Sequence, residues 1–517
     1  MLLPVLKQRI FLIAAIIIFI LAKIPHLGYA FYWDESWVYA PAIKLMYEHG
    51  PDLLPTAISP DYSRGHPLLF HALCVVWMKL FGASNFSMHC FALFISVLLV
   101  VAVYEIVLKL FSKRAAIIAT ILLLSNSNFF FQSSFVMTDI MLALSALLGI
   151  YYYSIKKYLP ASIALAVLFF TKESGLVMGV VVGIDIVAGI VRRNSDLKET
   201  VKKCLTLAFP SLLIGLFFVI QKYQLGWYLY PNHTDSVQLS LDKTHVLQMG
   251  MKFIFSDEQR YWLYILAGLI MMPVAIKGKN KKALAFLLLT LLLFTCMYIF
   301  YPKDVVFFIG VGILFLSAVV IFITEWLVLD RAARRFTELS VYFCFAFTFF
   351  SVVNFYESRY LIPVVIICSV ILVSILLDKY TPRLAKWSTV LIVAVSVAGA
   401  LSIYSTQFER VAYDRMRVQQ HVVDYFEKNV AYDEPICCFS FLQEVHLNDY
   451  KTGFLHGTQQ YTNVTENITD SSRYVVLDNI DPFLHSEGIH PDSSFVQVYR
   501  YQYKDVWAEV YRRKEMQ

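Results

Sequence analysis

Apolar runs long enough to cross a lipid bilayer recur from one end of this chain to the other, and no other feature restricts its fold as much. Inside hydrocarbon a backbone amide finds no water, so only helices and closed barrels can span. A helix needs about 20 mainly apolar residues to do so. The runs lie near 10–24, 67–81 or 86–110, 115–128, 138–154, 158–171, 175–191, 204–222, 261–276, 283–300, 305–324, 337–353, 361–377 and 387–404. They predict an all-α polytopic membrane domain of about 11–13 transmembrane helices over residues 1–404. The run at 67–81 is the weakest and reads as a short interfacial helix, with 86–110 the true crossing. Only 16% of the 517 residues are charged, against roughly 25% in soluble domains. The first run has no small-residue cleavage site and is followed by Lys23 and Pro25, so it reads as a retained helix and not as a cleaved signal.

Basic residues then order the loops. Lys7 and Arg9 precede the first run. Lys113 with Arg114, Lys156 with Lys157, Arg192 with Arg193, Lys277 with Lys282, Arg331 with Arg335, and Lys379 with Arg383 mark alternate loops. The positive-inside rule makes these loops and the N-terminus cytoplasmic. The net charge of +6 follows from this topology and implies no nucleic-acid partner. An odd number of spans places the tail outside, as in a multi-pass protein of the inner (plasma) membrane. The same outer face receives Asp34, Glu35, Asp139, Lys172, Glu173, Glu357 and Arg359. Cys74, Cys90, Cys204, Cys296, Cys344 and Cys368 lie in or beside apolar runs and read as small hydrophobes. Cys437 and Cys438 are adjacent in the tail, so no disulfide framework is implied.

The first outer loop, residues 25–67, carries the densest signal. Trp33, Asp34, Glu35 and Ser36 sit among aromatics where the chain leaves the bilayer. Ionisable groups there are costly and usually functional, although an aromatic belt with a solvated carboxylate pair is the plainer reading. Arg64 and His66, just before Pro67, suit a phosphate or those carboxylates; equally, they mark the start of a helix. Asp139 opens a run, where the helix dipole favours a carboxylate in any case. Thr171, Lys172 and Glu173 lie between two apolar runs with almost no loop, and a cation so placed suits a lipid-linked phosphate. Glu357, Arg359 and Tyr360 precede the run at 361–377. The guanidinium of Arg359 has the fork that phosphate recognition uses, or it snorkels at the interface. One by one these signals are weak. Their common face is what an active site at that surface would require.

The tail, residues 405–517, reads as a small soluble α/β domain outside the membrane. Its pattern predicts a helix over 408–430 and strands over 436–441, 473–477, 495–501 and 506–511. It holds no nucleophile elbow, Gly-rich phosphate loop or metal-spaced Cys/His set.

The order and sidedness of these motifs resemble the GT-C glycosyltransferases that use polyprenyl-phosphate sugars, above all the protein O-mannosyltransferases and the lipid A aminoarabinose transferases. Trp33-Asp34-Glu35-Ser36 is similar to the acidic motif that follows the first span in that family. Gly65-His66-Pro67-Leu68-Leu69 is similar to its His-Pro motif, with Leu68 where a second Pro is common. Asp139 matches an acidic residue opening a later span, Thr171-Lys172 a Thr-Lys motif, and Arg359-Tyr360-Leu361-Ile362-Pro363 an Arg-Tyr-x-x-Pro motif. The resemblance covers residues 1–380 or so. It implies transfer of one sugar, with inversion, from an undecaprenyl- or dolichyl-phosphate donor to a protein, glycolipid or polysaccharide acceptor on the outer face. Asp34 would be the base, with Glu35 and Asp139 its acidic partners in catalysis. Lys172, Arg359, Tyr360, Arg64 and His66 would hold the donor phosphate, and Trp33, Thr171, Glu173 and Glu357 would support them. No fixed cofactor is implied, and a divalent metal ion stays open. Two other classes fit the composition: a transporter or flippase of lipid-linked sugars, with charges near mid-span and matching interrupted helices, and a non-catalytic envelope binding protein.

Overall fold

The computed structural model describes residues 2–192, 196–231, 250, 254, 261–277, 303–325, 330–353, 358–377, 387, 389–394, 408–481 and 491–514. The expected run at 283–300, most of 387–404, and Glu357 lie outside the described residues.

Helices α1 (Leu2–Lys23), α5 (Asn85–Leu110), α6 (Lys113–Leu124), α7 (Ser127–Gln132), α8 (Asp139–Ser154), α9 (Tyr158–Thr171), α10 (Leu176–Val191), α11 (Leu197–Leu225), α12 (Tyr261–Lys277), α13 (Lys303–Glu325), α14 (Arg331–Val353) and α15 (Ile362–Leu376) form the bundle. Three further helices, α2 (Ala40–His49), α3 (Pro60–Ser63) and α4 (Leu69–Phe81), lie between α1 and α5. Among the described residues, five helical segments are long and apolar enough to span: Arg9–His26, Asn85–Leu110, Glu173–Val191, Leu197–Leu225 and Arg359–Leu376. The 13 residues of α4 rise about 20 Å, too little for a hydrocarbon layer of about 30 Å. The 26 residues of α5 rise about 39 Å and cross it. Between 67 and 110, α5 is thus the segment long and apolar enough to span, and α4 is a shorter apolar helix beside it.

Burial shows which faces lipid covers. Val180, Ile184, Val187 and Val191 of α10 are exposed, as are Leu205, Phe209, Leu212, Leu216 and Val219 of α11. Each set repeats every three or four residues and forms one stripe of its helix. A water-soluble protein rarely exposes such a stripe. The reverse faces pack inward, α11 on α9 and α10 on α9 and α14, while α8 and α15 are buried along almost their whole length.

The predicted helix at 115–128 is broken. It ends at Leu124, and Asn126 caps a new helix, its Oδ1 accepting from the Phe129 amide at 2.8 Å. An amide-capping side chain two residues past an apolar run stops that run. The break frees the segment 133–138 to pack beside the loop that follows α1.

The tail holds α16 (Phe408–Asn429), α17 (Phe441–Asn448) and strands β1 (Ile436–Cys438), β2 (Val464–Thr465), β3 (Tyr474–Asp478), β4 (Phe495–Tyr503) and β5 (Val506–Arg513). The sheet order is β2-β1-β3-β5-β4. β1 runs parallel to β2 and β3, while β5 is antiparallel to β3 and β4. The strand predicted over 436–441 stops at Cys438, because the Ser440 hydroxyl caps α17 by accepting from the Gln443 amide at 3.3 Å. β2, two residues long, was not legible in the sequence. Cys437 and Cys438 are buried free thiols.

Candidate functional site

The site begins where α1 ends. After a short turn the backbone of Trp33 takes φ 53°, in the left-handed region. For a non-glycine residue this costs on the order of 1–3 kcal/mol and is common at functional sites. A π-helical turn, Glu35–Tyr39, follows at once; such turns also concentrate at functional sites. Together they send neighbouring carboxylates in opposite directions. The Asp34 side chain stays 17% exposed, while Glu35 is fully buried.

Glu35 is a clamp between two loops. Its carboxylate accepts from the Val136 amide and from the Tyr32 amide, the latter at 3.4 Å. His89 Nε2 stands 3.3 Å from Glu35 Oε1, and His89 Nδ1 donates to the Leu27 carbonyl at 3.0 Å. These contacts join the loop carrying Asp34 to the segment that leads into Asp139. The partnership expected of Glu35 in the chemistry itself does not match this placement. Its oxygens face main-chain amides and a histidine, away from the acidic cluster.

That cluster is built from four stretches of chain. Asp34 pairs with the Arg359 guanidinium. Arg359 Nε lies 3.8 Å from Asp139 Oδ2, and Lys172 Nζ lies 3.5 Å from Asp139 Oδ1. Tyr360 backs the cations, its ring centre 3.9 Å from Lys172 Nζ and 5.2 Å from the Arg359 guanidinium carbon. Asp139, Lys172 and Arg359 are all buried. Two carboxylates thus alternate with two cations in a nearly dry setting. Asp139 Oδ1 and Arg359 Nε make ionic contacts yet no hydrogen bond among the described residues. Buried polar atoms are normally hydrogen-bonded, so both atoms suit a stronger partner such as a phosphate or an acceptor hydroxyl.

The remaining expected residues form a second ring or stand apart. His66 Nδ1 lies 2.6 Å from Glu173 Oε2, next to Lys172. Arg64, at φ 49°, stacks on Trp37 with its guanidinium carbon 4.1 Å from the ring centre. Gly65, at φ 71°, is required: a Cβ there would stand 2.7 Å from the Trp227 ring. Trp33, like Tyr29, Trp37 and Tyr413, packs against the buried cluster that contains Tyr32, Tyr39, Phe135 and Met137. Thr171 does not face the cluster, since its hydroxyl donates to the Val167 carbonyl at 2.6 Å and closes the last turn of α9. Two residues were missed by sequence reasoning: Tyr39, which meets the Thr138 hydroxyl at 3.3 Å, and His89, which holds Glu35. Of these, Tyr39 carried a local signal, one turn beyond Asp34. Met137, in the same motif as Asp139, has its Sδ 3.6 Å from Arg359 Nη1.

The tail reaches the rim of the site. Lys44 Nζ donates to the Lys451 carbonyl at 2.8 Å, and the Phe31 amide to the Thr452 carbonyl at 3.1 Å. Arg415 Nη1 donates to the Tyr32 hydroxyl at 3.1 Å, and Trp37 meets Phe441 edge-on at 5.5 Å. Burial at this junction lowers Lys44 to about 8 and raises Tyr32 to about 12. As to metals, Asp34 and Asp139 are engaged by cations. Among the described residues, Asp424, Glu427 and His456 of the tail bring their ligand atoms within 4.8 Å of one another.

Residues 8–233 match the family model for dolichyl-phosphate-mannose-protein mannosyltransferase. The matched stretch includes Asp34, Glu35, Arg64, His66, Asp139, Lys172 and Glu173. No curated protein sequence matches the chain. The fold is similar to that of ArnT from Cupriavidus metallidurans bound to undecaprenyl phosphate, at 12% identity over 97% of each chain and a TM-score of 0.53. It is similar at a lower TM-score of 0.42 to the Archaeoglobus fulgidus oligosaccharyltransferase AglB in complex with an inhibitory peptide and a dolichol-phosphate, at 12% identity over 91% of this chain and 69% of that one.

Proposed function

We propose that this chain, a membrane glycosyltransferase of the GT-C type that uses a lipid-linked donor, moves one sugar from a polyprenyl phosphate to a hydroxyl or amine on the outer face of the plasma membrane. The observation that carries the proposal is the contact of Asp34 with Arg359, and of Asp139 with both Arg359 and Lys172, at one end of an apolar bundle. Lys172 and Arg359 take the donor phosphate. Asp34 takes the proton from the acceptor as its oxygen or nitrogen attacks the sugar carbon. The bond from that carbon to the phosphate oxygen breaks, and the lipid phosphate leaves with the electron pair. The two cations stabilise the charge that develops on it. A single displacement inverts the sugar carbon.

The ion pair has a role in this sequence of events. While Arg359 holds Asp34, the carboxylate is a weakened base. A donor phosphate competes for the same guanidinium and is the stronger bidentate partner. Donor binding therefore releases Asp34 for the acceptor. The acceptor is a protein, glycolipid or polysaccharide, and the sugar is a hexose or pentose derivative. Mass spectrometry of envelope glycans from cells with and without the gene tests the reading. The expected result is one sugar missing from one acceptor class, and an unchanged set of glycans overturns it.

A further inference from the structure

At the other end of the bundle from the Asp34 cluster lies a charged cavity, which the proposed transfer reaction does not use. It has a volume of about 690 Å³ and is walled by the C-terminal ends of α8 and α10 and the N-terminal ends of α11 and α14. α8 separates it from the Asp34 cluster: Asp139 opens that helix and Ser154 ends it, a rise of about 22 Å. Six cations line it, Lys156, Arg192, Lys203, Arg331, Arg334 and Arg335, against the carboxylates of Asp185, Glu199, Asp330 and Glu338.

Loop cations that only set topology are solvated and need no cavity. Here they surround a concave space whose floor is a carboxylate inside a helix. Asp185 lies within α10 and is 10% exposed. Its oxygens take the Tyr153 hydroxyl at 2.7 Å, Lys203 Nζ at 3.1 Å and the Arg335 guanidinium. An ionisable group inside an apolar helix is costly and marks function by default. These contacts hold α8, α10, α11 and α14 at fixed spacing, so the cavity is preformed. Its volume is in the range of small-ligand sites and well beyond that of one phosphate ion.

The rim decides what fits. Ile190, Val191 and Leu197 are exposed apolar residues at the same helix ends, continuous with the lipid-facing stripes of α10 and α11. A ligand there has a charged head in the cavity and a tail along those stripes. Basic pockets between transmembrane helices at a membrane surface are suited to anionic lipid headgroups. We propose that this cavity binds the phosphate-bearing headgroup of an anionic lipid in the leaflet opposite Asp34, with the carboxylates of Glu199 and Glu338 taking headgroup hydroxyls.

The test uses the full purified chain in detergent. Its thermal midpoint is followed during titration with short-chain phosphatidylglycerol, short-chain phosphatidylcholine, or inorganic phosphate. The double variant Arg192→Gln/Arg331→Gln alters two exposed rim cations and leaves the Asp185 contacts in place. Lys113→Gln removes an exposed cation outside the cavity. Phosphatidylglycerol should raise the midpoint and phosphatidylcholine should not. The double variant should need roughly tenfold to thirtyfold more phosphatidylglycerol for half the shift, as expected for two interfacial cations. Lys113→Gln should titrate as the unmodified chain. An equal shift from phosphatidylcholine overturns the proposal, as does an equal loss in Lys113→Gln, which means diffuse surface charge. A full shift from inorganic phosphate alone overturns the lipid source. The readout is lipid binding, so its failure leaves the transfer proposal standing, and the reverse also holds.

Discussion

Asp34 and Arg359, 325 residues apart in the chain, are joined in one ion pair at one end of the bundle. The pair ties the loop that follows α1 to the start of α15. It also couples the proposed base to a proposed phosphate ligand, so the two are tested together.

Asp34→Asn should lower turnover by about 10²–10⁴-fold, the usual cost of losing a general base. The same variant should bind polyprenyl phosphate more tightly, by roughly fivefold, because Asp34 no longer competes for Arg359; that factor corresponds to about 1 kcal/mol for a partly exposed pair. Single-turnover assays and a lipid-phosphate titration give the two values. Near-normal turnover rejects Asp34 as the base, and weaker binding rejects the competition.

Lys172→Met and Arg359→Met should each weaken polyprenyl-phosphate binding by about tenfold or more, the scale of a charge-assisted hydrogen bond. A dissociation constant unchanged in both variants removes the phosphate site from this end of the bundle.

Glu35→Gln separates positioning from chemistry. Its buried carboxylate holds two loop amides, so the substitution should destabilise the chain by about 1–3 kcal/mol and lower the thermal midpoint. The pH profile of the residual turnover should keep its shape, since the titrating base is untouched. A normal midpoint with lost turnover and a shifted profile would make Glu35 a direct participant.

Membrane sidedness is read by labelling with an impermeant thiol reagent in a background without native Cys. Asp61→Cys and Glu466→Cys, both at exposed positions, should label in intact cells. Lys113→Cys and Lys198→Cys, also exposed, should label only after permeabilisation. Labelling of positions 61 and 113 from the same side refutes the topology.

Asp478, at the end of β3, predicts a pH effect in the tail. Burial pushes its carboxyl up to about 7, and Asp481 nearby adds to the rise. The folded tail then binds a proton that the unfolded chain has released, so this group's contribution is greatest below the ordinary value of 3.8 and is lost as pH climbs to about 7. His446 acts oppositely: burial lowers it to about 3, and its contribution grows as pH rises toward 6.5. The comparison of Asp478→Asn with the unmodified chain isolates the first group. Both should melt alike near pH 4. Above pH 7 the variant tail should be more stable, on the order of 2–4 kcal/mol, since Asn still accepts from the Ile480 amide. Proteolysis of the tail during heating checks this, and equal stability at both pH values refutes it.

Much of this was legible because lipid imposes long apolar runs and because basic loops record sidedness. Those two signals put Asp34, Asp139, Lys172 and Arg359 on one face together with Glu35, Glu173 and Glu357, and the resemblance assigned their roles. The opposite fates of Asp34 and Glu35 were not legible, since they depend on one left-handed residue, Trp33, and on His89 of a distant helix. The partner of Thr171 was not legible either, since its hydroxyl takes an acceptor within its own helix. In the tail, Phe439 and Phe441 read as strand residues, and the Ser440 cap between them decides otherwise.

The junction of the first loop with the tail has a consequence for how the protein comes into being. Lys44 waits for the Lys451 carbonyl across 407 residues of chain. At translation rates of about 5–20 residues per second, that gap is roughly 20–80 s. Throughout that interval the loop bearing Asp34 lacks its roof, while the proposed donor lipid would already be in the surrounding bilayer. The last part of the molecule to be synthesised finishes the rim of a site whose first residue was made near the start. Maturation of the rim is thus timed by the ribosome.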